Sequence, residues 1–142
     1  MPRYNVLVVD DEQDFREIIV KTLKKRDLNC ESAQDGNTAL EMIKAREYDV
    51  VLLDVKMSGM DGIETLREIK RITPMIEVVM LTGHATVESG IYGIKYGVFD
   101  YLMKPIDMNY LMEKLDAAYE HKLVQQEKIE MASIKRDMAM PG

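Results

Sequence analysis

Short runs of aliphatic and β-branched residues alternate along the chain with longer segments whose apolar positions recur every three or four residues. The first run, YNVLVV (Tyr4 to Val9), predicts a strand. A helix follows from about Gln13 to Arg26, with Phe15, Ile18, Ile19 and Leu23 on one face. NCESA (Asn29 to Ala33) is a weaker strand, and Gly36-Asn37-Thr38 opens a helix carrying Ala39, Leu40, Ile43 and Ala45. DVVLL (Asp49 to Leu53) predicts a third strand, followed by a helix from Met60 to Ile72 with Ile63, Leu66 and Ile69 at helical spacing. Pro74 stops that helix, because proline cannot continue the hydrogen-bond ladder, and IEVVML (Ile76 to Leu81) is the fourth strand. A fourth helix over Ala85 to Tyr96, a fifth strand VFDYLM (Val98 to Met103) and a last helix from about Asp107 complete the series.

Strands alternating with helices imply a parallel sheet covered on both faces, and right-handed crossovers leave few ways to wind it. The predicted class is α/β, a doubly wound five-stranded parallel sheet in three α/β/α layers of the flavodoxin-like kind. In such sheets ligands sit outside the carboxyl ends of the strands, where the strand order reverses.

The chain has 142 residues, 46% apolar and 31% charged, which suits one domain over residues 1–120 with a helical tail or linker over 121–142. No apolar stretch approaches the roughly 20 residues needed to span a bilayer, and the opening MPRYNVLVVDDEQD meets acid too early for a signal peptide. A cytoplasmic protein without a membrane partner is expected. The net charge of −6 argues against direct nucleic-acid binding by this domain, which would need clustered Lys and Arg. Cys30 is the only cysteine, so no internal disulfide or Cys-based metal site is available; it reads as a strand residue.

The strand exits change the picture. The first strand ends in Asp10-Asp11, the third in Asp54, the fourth in Thr82 and the fifth in Lys104-Pro105, whereas the second ends in the bland Ser32-Ala33. A bland second strand fits an outer position in the order 2-1-3-4-5, which lets the other exits converge. Carboxylates gathered there would repel one another unless cations intervened, and a hard divalent ion such as Mg²⁺ takes one or two carboxylates plus phosphate oxygens. Lys104 adds a fixed positive charge. The Thr82 hydroxyl and the backbone amides after Asp54 and Thr82 can donate to an oxyanion, so the set describes a phosphoryl site.

In these residues the sequence resembles the receiver domains of bacterial two-component response regulators, over roughly Tyr4 to Tyr119. The resemblance is carried by Asp10-Asp11, Asp54 in LLDVKMSGMDG, Thr82 in MLTGHA and Lys104-Pro105 in YLMKP. It implies that Asp54 accepts a phosphoryl group from a sensor histidine kinase or a phosphotransfer protein, with Mg²⁺ or Mn²⁺ as cofactor. Asp11 and Asp54 would hold the ion through carboxylates, Lys56 through its backbone carbonyl and Asp10 through water. Lys104 and Thr82 would stabilise the phosphoryl group, with Thr82 and the aromatic Tyr101 acting as the switch. Lys56 and His84 would tune phosphoryl lifetime, and Pro105 would follow a cis bond. The output face would combine the fourth helix, fifth strand and last helix, acting on a downstream protein target or a fused output domain. The resemblance implies a phosphoacceptor that assists its own phosphorylation and slow dephosphorylation, not a turnover enzyme.

Taken singly, each residue has a plainer reading. Asp10-Asp11-Glu12 suits a solvated turn with a helix cap, Thr82 a cap, Lys104 a solvated charge, Tyr101 packing, and His84 and His121 ordinary surface positions. Joint placement at strand ends reverses the first three. Ser58 stands where family members often carry proline, and Gly59 and Gly62 still permit tight turns. A metal-dependent phosphatase would need an acid two residues after its nucleophile, where this chain has Lys56. No G-x-G-x-x-G follows the first strand, which excludes a dinucleotide site. The remaining alternative is a receiver-like binding module that works without phosphate. In the tail, Val124, Met131, Ile134 and Met138 outline a stripe that suits a dimerising helix or a linker.

Overall fold

The computed structural model describes residues 3–56, 61–83 and 96–139. Its elements are β1 (Asn5–Val9), α1 (Gln13–Lys25), β2 (Asn29–Ala33), α2 (Gly36–Ala45), β3 (Val50–Asp54), α3 (Gly62–Ile72), β4 (Glu77–Thr82), β5 (Asp100–Met103) and α4 (Met108–Ala139). The five strands are parallel in the order β2-β1-β3-β4-β5, as the alternation and the bland exit of the second strand predict. The fourth predicted helix, Ala85 to Tyr96, ends on a turn residue at Tyr96, and its residues 85–95 lie outside the described residues. So do Ser58, Gly59 and the predicted helix start at Met60.

Alternate strand residues feed two cores, as a sheet buried on both faces requires. Val6, Val8, Val50 and Leu52 pack with Ile19 and Leu23 of α1 and with Leu111 and Leu115 of α4. Leu7, Val9, Val51 and Leu53 pack on the other side with Leu40 and Ile43 of α2 and Leu66 and Ile69 of α3. Ile18 does not join the buried face of α1: it is 63% exposed, because Ile19 and Leu23 set the inward direction and Ile18 lies about 100° round the helix from Ile19. β5 opens at Asp100, two residues later than the pattern suggests, although the Phe99 amide already donates to the Val78 carbonyl at 2.8 Å.

Local chemistry sets the helix starts. Asp35 caps α2 by accepting from the Thr38 amide, and Asp61 caps α3 by accepting from the Glu64 amide, both at 2.8 Å. The start of α3 lies hard against the end of β3. A Cβ at Gly62 would sit 2.4 Å from the Asp54 carbonyl oxygen and 2.6 Å from Val55 Cα, so this position tolerates only glycine. The close approach fixes where β3 ends and thus where the Asp54 carboxyl emerges.

Replacing Gly62 by alanine should therefore push α3 off β3 and destabilise the fold by about 1–3 kcal/mol. Urea unfolding measures the loss, and a variant as stable as the parent would contradict the close approach.

Candidate functional site

The site forms at the carboxyl edge of the sheet, where β1, β3, β4 and β5 end side by side. Asp10 follows β1 directly and is fully buried. Its amide donates to the Ala33 carbonyl, one carboxylate oxygen accepts from the Glu12 amide at 2.9 Å, and the other accepts from Lys104 Nζ at 2.7 Å. Asp11, the next residue, is exposed. Asp54 is the last residue of β3 and only 6% exposed, so it belongs to the strand instead of following it. Carboxylate oxygens of Asp10, Asp11 and Asp54 all lie within 4.8 Å of one another.

Lys104 reaches this cluster from the end of β5. Its amide donates to the Thr82 carbonyl at 2.9 Å, which fastens the end of β5 to the end of β4, and its peptide bond to Pro105 is cis. The ammonium is 3.8 Å from Asp54 Oδ2 and 3.6 Å from Glu12 Oε1, and lies 4.3 Å from the centre of the Phe15 ring. Thr82 ends β4 and is buried beside the site. Tyr101 is half-buried in β5 and packs with the core that contains Leu7 and Met80.

The electrostatics follow from this geometry. Burial, and then the charge of Asp10, push the Asp54 carboxyl up to about 6; Asp11 adds to the rise, while Lys104 and the Lys56 amide pull against it. Lys104 is held above the usual lysine range: burial works against its charge, but the hydrogen bond to Asp10 and the negative charges of Asp10, Asp54 and Glu12 outweigh burial. The cluster thus carries more negative charge than one lysine neutralises.

The backbone donors differ from expectation. The amide after Asp54, on Val55, is taken by the Leu81 carbonyl at 2.9 Å as a sheet bond. The amide that reaches Asp54 is that of Lys56, 3.2 Å from Oδ1. The Lys56 side chain is exposed at the rim, and His84 lies outside the described residues. Three neighbours of the site escaped the sequence reading. Phe15 packs against the core and also lies under Lys104, Arg16 donates to the Asp10 carbonyl at 2.8 Å, and Glu12 faces Lys104. Glu12 follows the acidic pair directly, and a count of four or five residues from Asp11 would have pointed to Phe15 and Arg16.

His121 is exposed, as expected, and also has partners: Nδ1 lies 3.1 Å from Oε1 of Glu77, a buried acid at the start of β4, and the ring tilts against Phe99. Met103, the last residue of β5, is 57% exposed. Cys30 is buried in β2, where burial pushes its thiol up to about 12.

A raised carboxyl penalises the folded state once it ionises. The penalty is absent below pH 4, grows as pH rises from the ordinary value of 3.8 to about 6, and is complete above that. With divalent ions chelated, Asp54→Asn should therefore be more stable than the parent at pH 7 by roughly 1 to 3 kcal/mol, with the gain vanishing near pH 4. Paired denaturation curves across that range test the sign.

The family model of the response regulator receiver domain matches residues 6–116. Among curated proteins the chain is similar to the transcriptional regulatory protein ZraR of Escherichia coli O157:H7, 40% identical over 117 residues, covering 82% of this chain and 26% of that protein. The chain thus spans about a quarter of the length of the curated relatives it matches. Among solved structures, NtrX from Brucella abortus in complex with ATP superposes with a TM-score of 0.84 at 32% identity, covering 90% of this chain and 29% of that one. A response regulator receiver domain protein from Clostridium thermocellum superposes with a TM-score of 0.81 at 32% identity, covering 86% of this chain and 98% of that one. With its acids, threonine and lysine at the four expected strand ends and a match over most of its length, the chain belongs to the response regulator receiver domain family.

Proposed function

We propose that the chain accepts a phosphoryl group on Asp54 from the phosphohistidine of a sensor histidine kinase or a phosphotransfer protein. The observation that carries this reading is the cluster itself: three carboxylates within 4.8 Å of one another, with the Lys104 ammonium 2.7 Å from Asp10 and 3.8 Å from Asp54.

The donor set suits Mg²⁺ or Mn²⁺, being oxygen-only, acidic and under-neutralised by one lysine. The carboxylates of Asp11 and Asp54 and the Lys56 carbonyl would hold the ion, with Asp10 acting through water. When bound, the ion supplies positive charge to the phosphoryl oxygens. The protein does the rest. Asp54, ionised at neutral pH, forms a new O–P bond as the P–N bond to imidazole breaks and the electron pair leaves on the ring nitrogen. The Lys56 amide and Phe15, which lies beneath Lys104, hold the two reacting charges in place. Lys104 then pairs with a phosphoryl oxygen and the Thr82 hydroxyl donates to another.

Signal output would follow from those two new bonds. A covalent group shifts a conformational equilibrium only by interacting differently with the two states, and Thr82 and Lys104 are the groups placed to do so. Tyr101 on β5 would respond to Thr82, and Lys56 and His84 would set how fast water reaches the acyl phosphate. The face around β5 and the start of α4 would then engage a downstream protein or a fused output domain, as fits relatives about four times longer. Residues 1–120 would form the receiver and 121–142 its tail, in the cytoplasm. No helix among the described residues is long and apolar enough to cross a membrane.

Incubation with Mg²⁺ and acetyl phosphate should add one phosphoryl group by mass. Asp54→Asn or removal of the metal with EDTA should abolish the addition, and Lys104→Ala should slow it by about tenfold or more. An inert parent chain would favour a binding module that works without phosphate, and repeated turnover of the donor would favour a phosphatase.

A further inference from the structure

At the edge of the sheet opposite the acids the chain turns from α2 into β3 and from α3 into β4, and α4 is pinned beside both turns by its bonds to Asp49 and Glu77. An open cleft of about 440 Å³ lies between these three segments, within the size range of sites for small molecules. Buried Ile43, Tyr48 and Ile76 line it, and half-buried Met75 adds an adaptable thioether. The Tyr48 hydroxyl donates to Oε1 of Glu31 at 2.9 Å, which leaves its ring as apolar lining.

The walls are fixed before anything enters. Lys70 Nζ donates to the carbonyls of Pro74 at 2.9 Å and Ile76 at 2.7 Å, which holds the turn between α3 and β4. Glu31 accepts from both the Arg46 guanidinium and the Tyr48 hydroxyl and so holds the turn between α2 and β3. Lys122, 2.6 Å from Asp49, holds the wall formed by α4. A ligand entering such a cleft orders little of the protein, so more of its contact energy remains as affinity.

The polar lining is rich in donors. Lys44, Arg46, Lys122, Thr73 and Gln126 supply them, against Glu47 as the one carboxylate on the lining among the described residues. Lys122 gives Asp49 one of its three N–H groups and Arg46 gives Glu31 one end of its fork, so both retain donors. The ends of α2 and α3 turn carbonyls this way, which disfavours an anion, but Lys44 and Lys70 in their last turns offset that field.

We propose that this cleft binds a small organic anion, an oxyacid group on an aromatic or aliphatic body. The body lies on Ile43, Tyr48 and Ile76, and the oxyanion takes the remaining N–H groups of Lys44, Arg46 and Lys122. Neither half suffices alone: a bare anion leaves the apolar lining uncovered, and a purely apolar molecule leaves the donors unmet. Because Lys122 and Gln126 belong to α4, a filled cleft also ties the root of that helix to the turns before β3 and β4. The site lies at the opposite end of β3 from Asp54 and does not depend on the chemistry there.

Anilinonaphthalene sulfonate, a sulfonate on an aromatic body, is the probe, titrated into the whole chain with EDTA present and followed by fluorescence and amide NMR shifts. One molecule per chain should bind with a Kd below about 0.1 mM, moving the amides of residues 43–48, 73–76 and 122–126 and leaving those of Asp10 and Asp54 in place. Phenylnaphthylamine, the same body without the sulfonate, should bind roughly tenfold more weakly, as the loss of a charge-assisted hydrogen bond requires. Lys44→Glu should weaken the sulfonate by about tenfold and leave phenylnaphthylamine unchanged. Ala45→Trp, at an exposed position on the lining, should fill the cleft and abolish binding of both, with urea unfolding showing that the fold is kept. No saturable binding, shifts confined to the far end of α4 or to the acids, equal affinity for the two probes, indifference to Lys44→Glu, or binding that survives Ala45→Trp would each overturn the proposal.

Discussion

The site depends on the mutual repulsion of acids that the fold forces together. Strands β1 and β3 are neighbours, so residues at their ends have no freedom to separate, and Asp10 and Asp54 are both nearly closed off from water. Burying one carboxylate without partners is costly, and burying two side by side is worse. The fold answers with Lys104, brought from the far end of the chain, and with the amides of Glu12 and Lys56. Asp10 takes the better share of these donors. Among the described residues Asp54 has the Lys56 amide and a lysine 3.8 Å away, and burial followed by the charge of Asp10 pushes its carboxyl upward. Among the described residues the two acids thus divide the donors: Asp10 holds the hydrogen bond from the lysine and Asp54 the one from the Lys56 amide.

The same sheet also holds the last helix at its opposite edge. β4 begins with buried Glu77, which meets His121 of α4, and ends with buried Thr82 beside the acids. Asp49, just before β3, receives Lys122 at 2.6 Å. The two central strands thus link the acidic edge to the root of a helix that then leaves the body. β5 and α4 follow one another directly in the chain, so the segment that delivers Lys104 is continuous with the helix that Glu77 and Asp49 hold.

Much of the architecture was legible in the sequence because it rests on local signals. Runs of Val, Leu and Ile marked the strands, three-and-four spacing marked the helices, and Pro74 stopped one of them, whereas the Asp35 and Asp61 caps came only with the structure. Even the strand order could be read, since only the second strand lacked a polar exit. What local signals missed were direction and partnership: Ile18 points outward, and Phe15 lies under Lys104 as well as in the core. Periodicity locates a helical face to within a residue or so, but what lies opposite decides which residue on that face is covered.

The sequence by itself determined which chemical groups arrive at the carboxyl ends of the strands, because strand order and alternation are written in spacing. Only the tertiary structure decided how those groups share donors: that Lys104 bonds to Asp10 and merely approaches Asp54, that the amide serving Asp54 comes from Lys56, and that Glu77 is buried against His121. Spacing along a chain is a one-dimensional property and survives in the sequence. Hydrogen bonds and desolvation depend on distances between residues as far apart as positions 10 and 104, and those distances exist only once the sheet has closed around them.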